Sequence, residues 1–336
     1  MSERENSYPT GLAAGDAAVN LSQKSDSTMQ PELWRRAIHH RSFIVGGVLA
    51  ILLVMIAIIS LFWTPHDPTQ INIRHRLAGP SLEHWLGADQ FGRDILSIIM
   101  AGAQNSIMVG VVAVGIGMSF GVTLGLIAAS NRGWVEEVIM RSCDFMYAFP
   151  AILLAILLVA TLGSGAINAM VAIGIFAIPT FARLSRANAN AIWSREFVLA
   201  ARASGKGTAQ ITVEHILPNI MSVIVVQATI EFALAILAEA ALSYLGIGSQ
   251  PPTPSWGRML SEVQTLVFLN PWLAVYPGAA IALAVLGLNL LGDGLRDVLD
   301  PRLARKRGLF LLSKTLRSRS TRSMGQVMPF GTCPLS

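Results

Sequence analysis

An all-α protein that crosses a membrane six times is the fold class this sequence predicts, and three observations carry it. Only 13% of its 336 residues are charged while 53% are hydrophobic, against a charged share of about 25% in soluble domains. Six apolar runs reach or approach spanning length. Lysine and arginine are spread unevenly over the connections between them. A soluble helical protein of this composition fails on run length. A nucleic-acid-binding surface fails on placement, because the basic residues flank apolar runs and do not interleave with aromatic ones.

The spans follow in order. Residues 1–34 form a polar tail, mostly without periodicity and expected to be disordered. Trp34, Arg35 and Arg36 suit the headgroup level at the start of a short interfacial helix. The adjacent His39 and His40 have no Cys or acid at ligand spacing. Residues 43–63 make the first span, since 21 residues at about 1.5 Å each cover the hydrocarbon core of about 30 Å. Residues 105–130 make the second, rich in Gly and Val, whose small side chains allow close helix contact. The third, 139–162, holds Arg141 and Asp144, three apart and able to pair, and Pro150, expected to bend it. The fourth is 167–181. The fifth, 219–245, contains Glu231 and Glu239, which need protein or a watery cavity around them because a charge in lipid is costly. The sixth is 271–291. A single six-helix domain thus covers 35–305, and the Ser/Arg-rich tail 306–336 is expected to be disordered. Cys143 and Cys333 make no disulfide framework.

Orientation comes from charge. Five Lys/Arg precede residue 43, two lie at 132 and 141, five fall in 183–206 and nine follow 295, whereas the alternate connections hold only Arg74, Arg76, Arg93 and Arg258. The positive-inside rule then places both termini and the 196–219 connection in the cytoplasm.

That connection is the most polar long interruption of an otherwise apolar second half. Its first part, Glu196–Ser204, is Ala-rich and suits a short helix. Gly205-Lys206-Gly207 should end or bend it, Thr208 is a candidate N-cap for a second helix, and Pro218 should limit that helix. Two short helices around a glycine elbow make a docking surface more readily than a catalytic pocket. The opposite connections hold LGADQFGRDILS (86–97) and a Pro-restricted segment in which Pro251, Pro252 and Pro254 precede Trp256 and Gly257. Asp89 and Asp94 invite a hydrolase or metal reading, but Arg93 lies between them and no histidine ligand is expected near them. A phosphate-binding loop, CxxC and HExxH are all absent. His215 suits packing or hydrogen bonding. No catalytic, cofactor or metal residue is assigned.

Four blocks together resemble the inner-membrane permease subunits of bacterial ABC importers, in particular the second permease of the dipeptide/oligopeptide/nickel group. The 196–219 segment resembles the family's coupling motif, Glu-Ala-Ala, three residues, Gly, nine residues, Ile-x-Leu-Pro: Ala200, Ala201, Gly205, Leu217 and Pro218 match, Leu199 stands at the Glu and His215 at the Ile, and Glu196 lies nearby but out of helical phase with position 199. Leu86–Ser97, with Asp89, Gly92, Arg93 and Asp94, resembles the external LGTDxxGRDxxSR pattern, with Ile98 at its final Arg. Ala238–Leu260 resembles the end of the fifth family helix and its external loop, and Asn289–Arg302 the C-terminal signature. The resemblance implies a type I importer permease fold and half of a translocation path for dipeptides or oligopeptides, or alternatively for nickel, glutathione or an opine-like solute. It implies a bacterial inner-membrane location and no enzymatic activity of its own. Its partners would be a second homologous permease, two cytoplasmic ATP-binding subunits, and a periplasmic or lipoprotein solute-binding protein. Asp144, Glu231 and Glu239 are the candidates for a pore-facing or polar-core role. A stand-alone secondary transporter would show paired broken helices at the midplane, and none is evident.

Overall fold

The computed structural model describes residues 40–299. The terminal tails, the start of the interfacial helix, Cys333 and the end of the C-terminal signature lie outside them. Among the described residues the chain is helical, with one isolated antiparallel bridge between Ala88 and Asp94 and no strand.

Ten α-helices appear among the described residues: α1 (Arg41–Phe62), α2 (Ile95–Ser130), α3 (Trp134–Tyr147), α4 (Ala151–Leu162), α5 (Ala166–Trp193), α6 (Glu196–Ala203), α7 (Thr208–Ile211), α8 (Leu217–Tyr244), α9 (Trp256–Glu262) and α10 (Trp272–Leu299). A π-helical turn, Thr212–Ile216, joins α7 to α8. Among the described residues five helical stretches are long and apolar enough to cross a membrane singly, and the bent pair α3/α4 makes a sixth where it is counted as one span.

The centre of the bundle is the pair α2 and α5. Gly117, Gly121 and Gly125 recur every four residues, so they form one bare stripe along α2. A Cβ at Gly117 would lie 2.6 Å from the Ala177 Cβ, one at Gly121 2.5 Å from the Ile178 carbonyl oxygen, and one at Gly125 would overlap the Ala182 carbonyl oxygen. The two backbones therefore meet at van der Waals distance, and side chains larger than hydrogen on this stripe are excluded. A second close contact joins the first and last spans: a Cβ on Gly46 would overlap the Leu291 amide nitrogen, and one on Gly287 would meet the Leu49 Cβ at 2.6 Å.

The helices depart from the apolar runs in four places. α2 starts ten residues before the run at 105, because Asp94 caps it by accepting from the Ser97 amide at 2.9 Å. At 36 residues it is about 54 Å long, well beyond the hydrocarbon core. α5 runs on past 181 through Arg183 and Arg186 to Trp193, because those charges find partners on α3. Pro150 does more than bend the third span: α3 and α4 meet at 91°, with Pro150 as the N-cap of α4. A proline with ψ of 132° cannot continue a helix, and the sharp corner follows. Finally, Pro218 does not end a helix. It stands in the first turn of α8, directly after the π turn. Proline has no N–H and its ring crowds the carbonyl four residues back, so one widened turn lets the helix pass through it.

Candidate functional site

The 196–219 segment is built as a bracket. α6 ends at the Ser204 C-cap; Gly205 follows with φ +84, donating to the Arg202 carbonyl at 3.1 Å, and the Lys206 amide donates to the Ala201 carbonyl at 3.2 Å. This pair of bonds is a Schellman closure, which requires a left-handed residue at the Gly205 position. A Cβ there would meet nothing within 4 Å. The elbow thus needs glycine for backbone conformation and leaves the space above it open. The N-cap of α7 is Gly207, in extended geometry, and not Thr208. Thr208 is already helical and uses its carbonyl to accept from the Thr212 hydroxyl at 2.8 Å.

One face of the bracket is anchored. Val198, Ile211 and Ile216 are buried against Leu126, Ala129, Ala189, Trp193, Ile220 and Ile224 of the long helices. The Arg202 guanidinium lies 5.3 Å above the Trp193 ring, and the Ser130 and Thr212 hydroxyls are 3.0 Å apart. The elbow is also tied to the π turn after α7, since the Lys206 ammonium reaches Glu214 at 2.5 Å and His215 Nε2 at 3.3 Å, and Gln210 of α7 donates to Glu214 at 2.8 Å. Gln210 and Glu214 stand four apart at helical spacing, whereas the reach of Lys206 from the elbow to Glu214 and His215 has no helical period and could not be read from the sequence. The other face is open: Phe197, Leu199 and Val213 are 46%, 51% and 62% exposed, with Glu196 and Ala200 exposed beside them. Ala201 is buried, Leu217 is half-buried and Pro218 is exposed.

The polar groups inside the bundle fall into two sets. Glu239 is 1% exposed and its Oε1 accepts from Asn105 Nδ2 at 3.2 Å and from the hydroxyls of Ser243, Ser249 and Ser255 at 2.7, 3.0 and 2.9 Å. It belongs to a closed polar core that ties α8, α2 and the loop before α9, and has no open side. Glu231 is half-buried and meets Gln227 at 3.1 Å and the Thr180 hydroxyl. The Thr180 hydroxyl also lies 2.7 Å from that of Tyr147, whose ring carries the Arg183 guanidinium at 4.2 Å. The expected Arg141–Asp144 pair is not made. Arg141 lies 3.6 Å from Glu137 on its own helix, and Asp144 reaches Arg183 on α5 at 2.6 Å. Arg186 likewise binds Glu136 at 2.5 Å. These bridges hold the cut-off half-span α3 against α5, where an i,i+3 pair would have used both charges on one helix.

At the opposite end Asp89 organises the turn 86–94. Its Oδ1 accepts from the amides of Phe91 and Arg93 at 2.8 and 2.9 Å, and its Oδ2 from Arg93 Nε at 2.6 Å. Gly92 has φ +73, and a Cβ there would overlap the Asn72 carbonyl oxygen. Arg93 continues to Glu262 at 2.5 Å, and Glu262 also accepts from Arg258 at 2.9 Å. Burial works against the Arg93 charge, but Asp89 and Glu262 together outweigh it and hold its pKa above the ordinary arginine value. Two blocks far apart in sequence are thereby clamped into one element. Pro251 and Pro252 are exposed, whereas Trp256 is 2% exposed, packs on Gly102, and donates from Nε1 to the Ile99 carbonyl at 3.0 Å. Trp256 is therefore an internal anchor and not a surface contact. Gly257 is required where α9 crosses α8, because any side chain there would overlap the Ala240 carbonyl oxygen. A histidine also meets this turn: His84 Nδ1 lies 3.0 Å from Asp94 Oδ1, correcting the expectation that no histidine ligand is near this acid.

Two family models match. Residues 121–305, more than half the chain, match the binding-protein-dependent transport system inner membrane component, and residues 31–80 match the N-terminal TM domain of oligopeptide transport permease C. The chain is 44% identical over 84% of its length to the glutathione transport system permease protein GsiD of Pectobacterium atrosepticum, covering 94% of that protein. It is 45% identical over 80% of its length to the dipeptide transport system permease protein DppC of Alkalihalophilus pseudofirmus, covering 90% of it. Among solved structures, the MetNI methionine ABC transporter in inward-facing form aligns with TM-score 0.53 and 18% identity, over 60% of this chain and 97% of that one, which is a likeness of fold. With a family model spanning more than half its residues and relatives this similar over most of their length, the chain belongs to the family of binding-protein-dependent transport system inner membrane components, the permease subunits of ABC importers.

Proposed function

We propose that this chain forms half of the translocation path of an ATP-driven importer of dipeptides or oligopeptides, and that the 196–219 bracket is where the ATPase subunit docks. The observation that carries the docking reading is the two-sidedness of the bracket. Val198, Ile211 and Ile216 fix it to the ends of the long helices, while Phe197, Leu199 and Val213 present apolar surface outward. A surface that is rigidly mounted and apolar on its free side suits transmission of force from a partner. Leu199 at the motif's usual Glu gives docking by packing in place of an ionic contact. In this reading the ATP hydrolysis belongs to the partner, both termini are cytoplasmic, and the clamp of Asp89, Arg93 and Glu262 lies on the side of the solute-binding protein. The half-buried Glu231, with Thr180 and Tyr147, supplies a polar surface for solute within the bundle.

A second solute reading, glutathione, is favoured by the 44% relative named for it. Glutathione is itself a small peptide, so the two readings ask the same of the path: tolerance of a zwitterion with amide groups. The test is uptake by the reconstituted complex of two permeases, two ATPases and the loaded binding protein. Labelled dipeptides, oligopeptides and glutathione are supplied in competition. ATP-dependent uptake of a peptide supports the reading, and uptake of none of them, with active ATPase, overturns it.

A further inference from the structure

The segment between α1 and α2 brings three histidines and two acids together, although they are scattered from 66 to 94 in sequence. His66, His84 and Asp94 each offer a ligand atom, and those atoms lie within 4.8 Å of one another; His75, Glu83 and His84 form an adjoining group within the same limit. Three details favour the first set. His66 Nδ1 is buried without a hydrogen-bond partner, 3.9 Å from Asp94 Oδ1. Such an orphaned atom is uncommon and calls for an explanation, an ion among them. Asp94 has its Oδ2 already held by the Ser97 amide at 2.9 Å and hydroxyl at 2.6 Å, so its orientation is set while Oδ1 faces the two rings. The second nitrogen of His84, Nε2, lies 3.0 Å from His75 Nδ1, which is the outer contact that fixes the ring and tautomer of a metal-bound histidine.

We infer that His66 Nδ1, His84 Nδ1 and Asp94 Oδ1 form a binding site for one divalent late first-row transition ion, with His75 as the orienting residue behind His84. Two imidazoles and a carboxylate are the donor set of Zn²⁺ and its neighbours and a poor set for Mg²⁺ or Ca²⁺. Tetrahedral bonds of about 2.0 Å put neighbouring ligand atoms about 3.3 Å apart. The present separations of 3.0 Å between His84 and Asp94 and 3.9 Å between His66 and Asp94 straddle that value. Without the ion, a neutral His84 protonated on Nδ1 would donate to the carboxylate and accept at Nε2 from His75. With it, the His84 proton would sit on Nε2 and be donated to His75 Nδ1, so binding would ask for a change of tautomer at both His84 and His75. The ion would join the exit of α1 to the N-terminus of α2, reinforcing the bond that the His66 amide already donates to the Ser97 hydroxyl at 3.0 Å.

The test uses the full chain in detergent, purified on a tag without histidine and stripped with a chelator. Zn²⁺ is titrated in competition with a chromophoric chelator, and Co²⁺ binding is followed by its visible absorption. Four proteins are compared: unmodified, His66→Gln, His75→Gln, and His39→Gln with His40→Gln. One equivalent of Zn²⁺ should bind, and its affinity should fall at least tenfold in His66→Gln. It should fall about tenfold or more in His75→Gln, the size seen for orienting partners, and stay unchanged in the 39/40 variant. Zn²⁺ should also raise the melting temperature of the unmodified chain and not that of His66→Gln. His75 is outside the ligand set, so its variant reports on the site even where His66→Gln is poorly expressed. Failure to compete with the chelator, unchanged affinity in His66→Gln and His75→Gln, or loss only in the 39/40 variant would each overturn the inference. None of these readouts depends on transport, so they stand apart from the importer reading.

Discussion

Gly205 is the residue at which the docking account is most exposed to test. It occupies φ +84 in the Schellman closure of α6, and the space where a Cβ would go is empty. A substitution there therefore carries a backbone cost without a clash. Left-handed backbone costs an ordinary residue about 1–2 kcal/mol, and a β-branched residue is the least able to adopt it. That cost corresponds to a factor of about 5–30 in the ratio of native to non-native elbow. It is small against the burial of the bundle, so Gly205→Val should insert at normal level. In reconstituted vesicles, ATPase stimulation by the loaded binding protein and uptake should both fall, by up to that factor. Two companions sharpen the experiment. Asn tolerates the left-handed region better than other residues, so Gly205→Asn should retain most of the activity. Gly207 lies two residues away with φ −69 and equally open space, so Gly207→Ala should be near neutral. Unmodified transport by Gly205→Val, or equal damage from Gly207→Ala, would refute the reasoning.

Further outcomes follow from the same geometry. Glu239→Leu should lower the melting temperature in detergent sharply, because the Asn105, Ser243, Ser249 and Ser255 donors lose their shared acceptor and each buried unpaired group costs about 1–3 kcal/mol; a shift of under a few degrees would mean the core is wet. Trp256→Ala should cost about 3–5 kcal/mol as a buried aromatic truncation and show as reduced abundance in the membrane; normal abundance with a selective loss of uptake would instead place the ring at a partner surface. Single cysteines at the exposed positions Ser81 and Thr253 should react with an impermeant thiol reagent in intact spheroplasts, while one at Thr208 should not; labelling of Thr208 from outside would invert the proposed topology.

What was legible in the sequence was what depends on local composition. Apolar run length marks the spans, and the alanines and glycine of 196–207 mark a helix, an elbow and a second helix. Helix ends were less legible. The run at 105 hides the earlier start of α2, because the start is decided by the Asp94 cap and not by hydropathy. The run ending at 181 hides the continuation of α5, because Arg183 and Arg186 are matched by Asp144 and Glu136 on another helix. Pairings of this kind are tertiary, and the nearer candidate, Arg141 with Asp144, competes for the same charge in any sequence reading. The convergence of His66, His75 and His84 has the same origin: it is fixed by packing between segments that the chain separates. Trp256 shows the reverse case, where a Pro-rich, polar neighbourhood conceals a residue that Gly102 and Ile99 take into the core.

The central claim is that an ATPase subunit sits on the outer face of the bracket, and site-specific photocrosslinking tests it most directly. A photoreactive phenylalanine analogue is placed at Leu199, 51% exposed, and separately at Trp85, 64% exposed at the opposite end of the bundle. In the assembled complex, irradiation should join position 199 to the ATPase subunit and leave position 85 unattached to it. An assembled, transporting complex in which position 199 captures no ATPase, or in which position 85 captures it, would contradict the account.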